Sequence, residues 1–353
     1  MQLGLPLKSD DVSGYRLLWN APWPTQCAKR GFAAKPAVDW GALGITTNRG
    51  AAFNGESVAT FYSDQGLYPY FTPSGLAVNG GIPQATNLTA HLSKWRQDIE
   101  ATLPDPSSAG VAVVDWESWS PLMVFTSAAP PSEQLYIEAS VKRVREEHPA
   151  LTNTTEIYAM AQRAFESAGV TLMRETIRAA KALRPRTRWG FYGYPHCHTK
   201  DCKAGVCTRS SNDKLGWLWD EVTSLHPSVY LLQQPDSANT AYVSCQLSET
   251  QRVANLSMER VPGRAPPQAF PFASWSGNHQ TSHGWPYLDS TEAFDAEFVL
   301  PRRFGAAGAI IWGSSNAAVN ASRCEGAQSA GLWLNAHGAA LRNATAPKPG
   351  APL

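Results

Sequence analysis

The stretch Gly110-Val-Ala-Val-Val-Asp115-Trp116-Glu117-Ser-Trp119-Ser120-Pro121 holds the most informative chemistry in the chain. An apolar run ends in two carboxylates at i and i+2. On an extended strand that spacing turns both side chains to one face, with Cα atoms about 6.5–7 Å apart. Two carboxyls so close resist simultaneous ionisation, so one keeps its proton near neutrality beside an anion. A general acid next to a carboxylate is what glycosidic cleavage requires. In the ordinary retaining scheme the acid and the nucleophile flank the scissile bond, and neighbours on one strand are poorly placed for that. A nucleophile from the substrate fits better, such as a 2-acetamido group. Glu117 then protonates the leaving oxygen, while Asp115 orients the amide and stabilises the charged ring. The competing reading is structural: strand-end carboxylates that cap the next helix or sit in salt bridges. The apolar run before them and the flanking Trp116 and Trp119 bring the catalytic reading level with it.

Strands and helices must deliver that pair. The pattern predicts β-runs at Tyr15–Asn20, Val58–Tyr62, Val111–Glu117, Trp189–Tyr194, Val229–Gln234, Gln268–Trp275 and Ala309–Gly313, and a weaker one near Leu43–Thr47. Several are nearly continuous apolar runs, as expected of strands buried on both faces. Helical patterns lie between them. Asn87–Leu103 places Leu88, His91, Leu92, Trp95 and Ile99 on one stripe, and Thr155–Leu183 ends at Arg184-Pro185. Pro131–His148, Asn212–Leu225, Ser248–Arg260, Ser290–Phe304 and a closing Ala327–Leu341 complete the series. Seven or eight β-then-α units imply a single (β/α) TIM-like barrel, whose C-terminal mouth is where strand-end carboxylates meet substrate. A doubly wound open sheet is the alternative, but Trp189-Gly-Phe-Tyr-Gly-Tyr lacks the phosphate-binding fingerprint and a following helix start. One domain is expected over residues 1–343, followed by a flexible Pro/Ala-rich tail over 344–353.

Composition excludes several other classes. The 353 residues carry 30 Lys plus Arg against 29 Asp plus Glu, so no global basic field exists to hold nucleic acid. No apolar run is long enough to span a bilayer. Six cysteines and Asn-x-Ser/Thr acceptors at Asn87, Asn153, Asn255, Asn320 and Asn343 favour a secreted or lumenal protein. The opening Met1-Gln-Leu-Gly-Leu-Pro-Leu-Lys is too short for a signal peptide, and a removed leader is the preferred reading. His196, Cys197, His198, Cys202 and Cys207 offer zinc-type ligands, but their spacing fits no zinc finger or ribbon. A loop staple joining Cys197 to Cys207 is preferred. No cofactor and no metal are expected, and the chain is expected to be a monomer.

Beyond the carboxylates, a series of segments resembles the animal and venom hyaluronidases, glycoside hydrolases of a distorted (β/α) barrel fold. The segments are Trp19-Asn20-Ala-Pro, Tyr62 with Gly66-Leu-Tyr-Pro-Tyr70-Phe, Asn79-Gly-Gly-Ile-Pro-Gln84, Val114-Asp-Trp-Glu-Ser-Trp119, Leu183-Arg-Pro185, Trp189-Gly-Phe-Tyr-Gly-Tyr-Pro-His-Cys197, Asn212-Asp-Lys-Leu-Gly-Trp-Leu-Trp219, Pro227-Ser-Val-Tyr230 and Gly308-Ala-Ile-Ile-Trp312. They run in family order over roughly residues 15–325. The resemblance implies an endo-β-N-acetylhexosaminidase acting on a glycosaminoglycan polymer, hyaluronan or chondroitin. It implies Glu117 as proton donor, Asp115 as the carboxylate positioning the acetamido nucleophile, and Tyr192 as the tyrosine assisting it. Tyr230 and Trp312 match groups that shape the pocket for the sugar being cleaved, and Tyr62 matches a tyrosine beside the cleft. It also implies bridges Cys27–Cys324 and Cys197–Cys207, leaving Cys202 and Cys245 for a third.

Departures matter as well. Ser120 stands where many members carry an Arg suited to a uronate carboxylate, and Ser315 replaces a second Trp. The Cys-rich epidermal-growth-factor-like extension of vertebrate members is absent from the expected arrangement, as in venom forms. Phe270–Asn278 lies where members carry cleft aromatics and an acid, without a secure alignment. The loss of the Arg is the one sequence feature favouring a rival function, a non-catalytic glycan-binding protein on the same scaffold.

Overall fold

The computed structural model describes residues 14–21, 38–126, 128–198, 201–202, 207, 209–231, 236–274, 291–313 and 334–345. They fall into two compact units, one from Met1–Thr60, Ala109–Val113 and Arg188–Leu353, the other from Phe61–Ser108 and Val114–Thr187. The strands in chain order are β1 (Arg16–Asn20), β2 (Ile45–Thr46), β3 (Val58–Phe61), β4 (Tyr70–Phe71), β5 (Ala77–Val78), β6 (Val111–Val114), β7 (Arg188–Phe191), β8 (Ser224–Leu225), β9 (Gln268–Ala269), β10 (Phe272–Ser274) and β11 (Gly308–Trp312).

In the first unit β10, β11, β1 and β2 lie side by side, all parallel. Strands β3, β6 and β7 form a second run, and β8 pairs with β9. Parallel bridges from Tyr192 to His226 and from Ser228 to Phe272 link these runs in order. Backbone pairing is replaced by a side chain after β2. Asn48 accepts from the N–H of Ser57 and Val58 at 2.9 and 3.1 Å and donates to the Val58 carbonyl at 2.8 Å. That buried amide ties the end of β2 to the start of β3, satisfying groups that a sheet ladder would otherwise take. Both faces of the strands are covered, which is why they read as unbroken apolar runs. On β1, Leu17 and Trp19 pack into one core with Ala309 and Ile311, whereas Leu18 packs into another with Val58, Val111, Val113, Phe270, Phe272 and Ile310. Period-two alternation separates the two layers.

The second unit holds the β4–β5 hairpin and three helices, α1 (Leu88–Thr102), α2 (Pro131–Glu147) and α3 (Thr154–Leu183). Asn87 and Asn153 cap α1 and α3, their side chains accepting from Ala90 and Glu156 N–H groups that have no intrahelical partner. Helix α3 stops at Arg184, the residue before Pro185, where the helical conformation is disfavoured. Arg184 then donates to the Leu103 carbonyl at 2.7 Å, fastening the end of α3 to the end of α1.

Several elements differ from their sequence expectation. The strand expected over Val111–Glu117 ends at Val114. Only Asp115 stays near the ladder, through its N–H to the Phe61 carbonyl at 2.8 Å. Of the strand expected over Val229–Gln234, the described residues Val229–Leu231 form no strand and 232–234 lie outside the described residues; just upstream, Ser228 makes one parallel bridge to Phe272, and the strand itself is β8. The helix expected over Asn212–Leu225 is two short helices, Arg209–Lys214 and Gly216–Glu221, and Ser248–Arg260 is the second half of a helix that begins at Asp236. Within Ser290–Phe304 the helix widens into a π-turn at Asp295–Val299. Pro301 follows and has no N–H for the Glu297 carbonyl, so a regular turn could not close there. The last helix reaches Thr345, and 346–353 lie outside the described residues.

Candidate active site

Asp115 and Glu117 follow β6 directly, in the second unit. Asp115 is 8 % exposed, whereas Glu117 is open to solvent. Their side chains are hydrogen-bonded to each other. Burial first, then the charge of Glu117 and then that hydrogen bond push the Asp115 carboxyl up to about 8. Its Oδ1 is buried and makes no hydrogen bond within the protein. The sequence predicts a protonated Glu117 beside an ionised Asp115. The structure adds that burial and the neighbouring carboxyl favour the protonated form of Asp115, the desolvated member of the pair.

An aromatic platform holds this loop. The Tyr68 ring is fully buried and stacks on Trp116 at 4.6 Å, on Trp119 at 5.4 Å and on Tyr70 at 6.1 Å between centroids. Its hydroxyl accepts from the Ser118 N–H at 3.1 Å, and the Trp119 Nε1–H donates to the Pro69 carbonyl at 2.7 Å. Offset stacking and buried polar tips of this kind fix ring orientation as well as burying area. Asn79 Nδ2 donates to the Tyr68 carbonyl at 2.9 Å. Below the platform His91 is buried and held neutral, burial lowering it to about 4. It accepts from the Leu67 N–H at Nδ1 and meets Thr176 Oγ1 at Nε2. Gly66, at φ +66°, leaves room for that ring: a Cβ would come within 2.7 Å of it. The sequence motifs assign a role to Tyr62 and none to Tyr68, although the density of aromatics in Gly66–Phe71 is a signal that could have found it.

Tyr62 follows β3 in the same unit. It is half-buried, and its N–H donates to Gln65 Oε1 at 2.5 Å. The other three expected residues lie in the first unit. Tyr192, Tyr230 and Trp312 are half-buried and pack against the apolar layer containing Leu18 and Phe272. Their rings form a row, Tyr192 to Tyr230 at 6.5 Å and Tyr230 to Trp312 at 6.0 Å, with Phe272 edge-on to Tyr192 at 4.9 Å. The backbone of His226 holds the two residues that follow Tyr192, accepting from Gly193 N–H and donating to the Tyr194 carbonyl. Gly190 permits this approach, since a Cβ there would stand 2.2 Å from the Ser224 carbonyl. His226 itself is fully buried and neutral, burial lowering it to about 4.

The cysteine cluster is structural. Cys197 pairs with Cys207 and Cys202 with Cys245, the staple and the third bridge expected from the sequence. The sulfurs of Cys197, Cys202 and Cys245 lie as close together as the ligands of a metal site, but disulfide sulfurs are not thiolate ligands. Cys27, Cys324, Ser315 and the 275–278 stretch lie outside the described residues. Ser120 is exposed, and its Oγ accepts from the Leu122 N–H at 3.2 Å. Among the described residues no helix is long and apolar enough to cross a membrane.

Comparison with known proteins places these features in context. The family profile described as hyaluronidase matches residues 10–330. Hyaluronidase-1 of Mus musculus is 33% identical over 299 residues, covering 82% of this chain and 62% of the relative. Hyaluronidase-3 of Sus scrofa is 34% identical over 333 residues, covering 91% and 74%. The chain thus spans about three fifths of the mouse relative's length. The crystal structure of bee venom hyaluronidase superposes with a TM-score of 0.77 at 30% identity, covering 93% of this chain and 99% of that one. A second structure of the bee venom enzyme, in complex with a hyaluronic acid tetramer, gives a TM-score of 0.76 at 32% identity, covering 89% and 95%. This likeness bears out the α/β fold class expected from the sequence, the distorted (β/α) barrel.

Proposed function

The chain belongs to the hyaluronidase family of glycoside hydrolases, and on that premise we propose that it is an endo-β-N-acetylhexosaminidase cleaving hyaluronan, chondroitin or both. The observation that carries the reading is the Asp115–Glu117 pair: a buried carboxyl holding a proton up to about 8, bonded to an exposed carboxyl, with one buried oxygen unused. A 2-acetamido group suits that oxygen. Its N–H donates to Asp115, which favours the ionised aspartate and releases the proton along the shared hydrogen bond to Glu117. The amide oxygen, made more nucleophilic, bonds to the anomeric carbon as Glu117 protonates the leaving glycosidic oxygen. Glu117, now ionised, takes a proton from the water that opens the cyclic intermediate, so the overall outcome is retention.

Tyr192 is assigned to assist the acetamido group, and Tyr230 and Trp312 to line the wall of the same sugar's subsite. Tyr62 is assigned to the cleft beside it. Those assignments rest on the family motifs and on the packing of the three rings in a row. We assign the catalytic domain to residues 1–343. Both compact units are assembled from separate segments of chain, so neither is a contiguous module. The disulfides Cys197–Cys207 and Cys202–Cys245 and exposed acceptor asparagines at Asn87, Asn153 and Asn343 support a secreted or lysosomal location and a glycoprotein, which we assign as a monomer. The non-catalytic alternative has only Ser120 behind it. The test is a digest of hyaluronan and chondroitin side by side across pH, with product masses. N-acetylhexosamine reducing ends are expected from the wild type and none from Glu117→Gln, which still binds polymer. Turnover by that variant would defeat the assignment.

A further inference from the structure

Glu297 is a fully buried carboxyl for which the reaction above has no use. It sits in the π-turn Asp295–Val299, ahead of Pro301. Its two oxygens face the backbone N–H of Ser274 at 3.3 and 3.2 Å, and the backbone N–H of Leu231 also donates to it. Burial pushes this carboxyl well above the usual range, and the two N–H donors pull it back. An apolar residue would fill such a site at less cost, since a buried carboxyl must offset its desolvation through bonds it alone can make.

The two amides it holds have particular neighbours. Ser274 ends β10 and is the register partner of Trp312 on β11. Leu231 follows Tyr230 directly. The Tyr230 and Trp312 rings stand 6.0 Å apart. A single side chain therefore grips the backbone beside each ring. We propose that Glu297 is a positioning residue: by holding the Leu231 and Ser274 amides it sets the spacing of Tyr230 and Trp312, and so the width of the sugar-binding wall. The catalytic consequence rests on the assignment of those rings made above, whereas the clamp itself does not.

Two measurements on Glu297→Gln test this. Gln offers one acceptor oxygen and turns an N–H₂ toward an amide donor, so the grip is lost with little change in volume. Amide hydrogen exchange in peptides containing Leu231 and Ser274 should rise about tenfold or more while peptides from β1 stay as in the wild type. On hyaluronan or chondroitin oligosaccharides kcat should fall about tenfold with KM within about twofold, as for a contact expressed in the transition state. In a Tyr230→Ala, Trp312→Ala background the same substitution should lower kcat no further. Unchanged exchange at both amides, or a kcat loss that multiplies undiminished with the ring substitutions, overturns the proposal. Should the Gln variant not fold, Glu297→Asp, which keeps the carboxyl but shortens the reach, must show the paired acceleration, and its absence overturns the proposal equally. A wild-type chain inactive on both polymers would remove the proposed activity and leave the exchange comparison to decide the clamp.

Discussion

Asp115 and Glu117 are joined by a side-chain hydrogen bond that runs from a buried carboxyl to an exposed one. The asymmetry bears on Asp115 before substrate arrives: desolvation disfavours its charge, and the neighbouring carboxyl adds to that, so its protonated form is favoured. Removing the neighbour's charge should make this visible. In Glu117→Gln the second cause of the shift is gone, and Asp115 should titrate below about 8 while still above its ordinary 3.8, because burial, the largest cause, remains. Carboxyl-carbon NMR of labelled aspartate reads this directly. An Asp115 titration that stays put or rises would show that the two carboxyls are not electrostatically coupled.

The same shift has a consequence for stability. A carboxyl with a folded pKa above its unfolded value binds more protons in the folded state between the two, so folding stability falls as pH rises through that window. For Asp115 the window runs from 3.8 to about 8. Its contribution is whole below the lower limit and lost by the upper one. Asp115→Asn cannot ionise and should gain on the wild type across this range, by on the order of 2 kcal/mol after allowing for relaxation of the site. Denaturant midpoints of both proteins at several pH values measure it. A difference that does not change with pH would contradict the buried, protonated aspartate.

Much of this is legible from residue types, and the rest is hidden for identifiable reasons. Buried parallel strands announce themselves as apolar runs, so the expected β1, β6 and β11 begin within a residue of their observed limits. The end of β6 is not legible, because Asp115-Trp116-Glu117 keeps the alternation of a strand while Trp116 is drawn out of the ladder onto the Tyr68 ring. That stacking is a contact with residues far along the chain, which local pattern cannot reveal. The π-turn at Asp295–Val299 is hidden in the same way: Pro301 warns of a break, but the periodicity around Phe294 and Phe298 reads as ordinary helix. The carboxylate pair is visible as a spacing. Which of the two carries the proton depends on burial, which the sequence does not encode locally.

Tyr68 joins the platform to the loop in two separable ways. Tyr68→Phe keeps the stacking and removes only the hydroxyl that accepts from Ser118 N–H. It should cost about 1 kcal/mol of stability, the net worth of one buried hydrogen bond. Tyr68→Ala strips the ring from between Trp116, Trp119 and Tyr70 and should cost about 3–5 kcal/mol, as for other large buried aromatics. Activity should fall in both variants, since Ser118 is the residue next to Glu117. Chemical denaturation paired with the digest assay separates the effects. Full activity in Tyr68→Phe would mean that the Ser118 bond does not position the acid.

The two disulfides among the described residues should differ in worth because they close loops of different length. Cys197 and Cys207 are 10 residues apart, and Cys202 and Cys245 are 43 apart. In the chain-entropy model the shorter loop stabilises by about 2.7 kcal/mol and the longer by about 4 kcal/mol. The longer bridge also fixes the helix Asp236–Arg260, which carries Cys245, to the segment after His198. Removing both partners of each bridge avoids a stray thiol. The Cys202→Ala, Cys245→Ala protein should therefore melt below the Cys197→Ala, Cys207→Ala protein. Gln246, beside Cys245, donates to the Cys197 carbonyl at 2.8 Å and keeps the shorter loop in place when its own bridge is cut, which adds to the difference. Calorimetric melting of the two double variants checks the order. The reverse order would mean that native-state packing around Cys197 and Cys207, rather than the entropy of the unfolded chain, sets the value of these bridges.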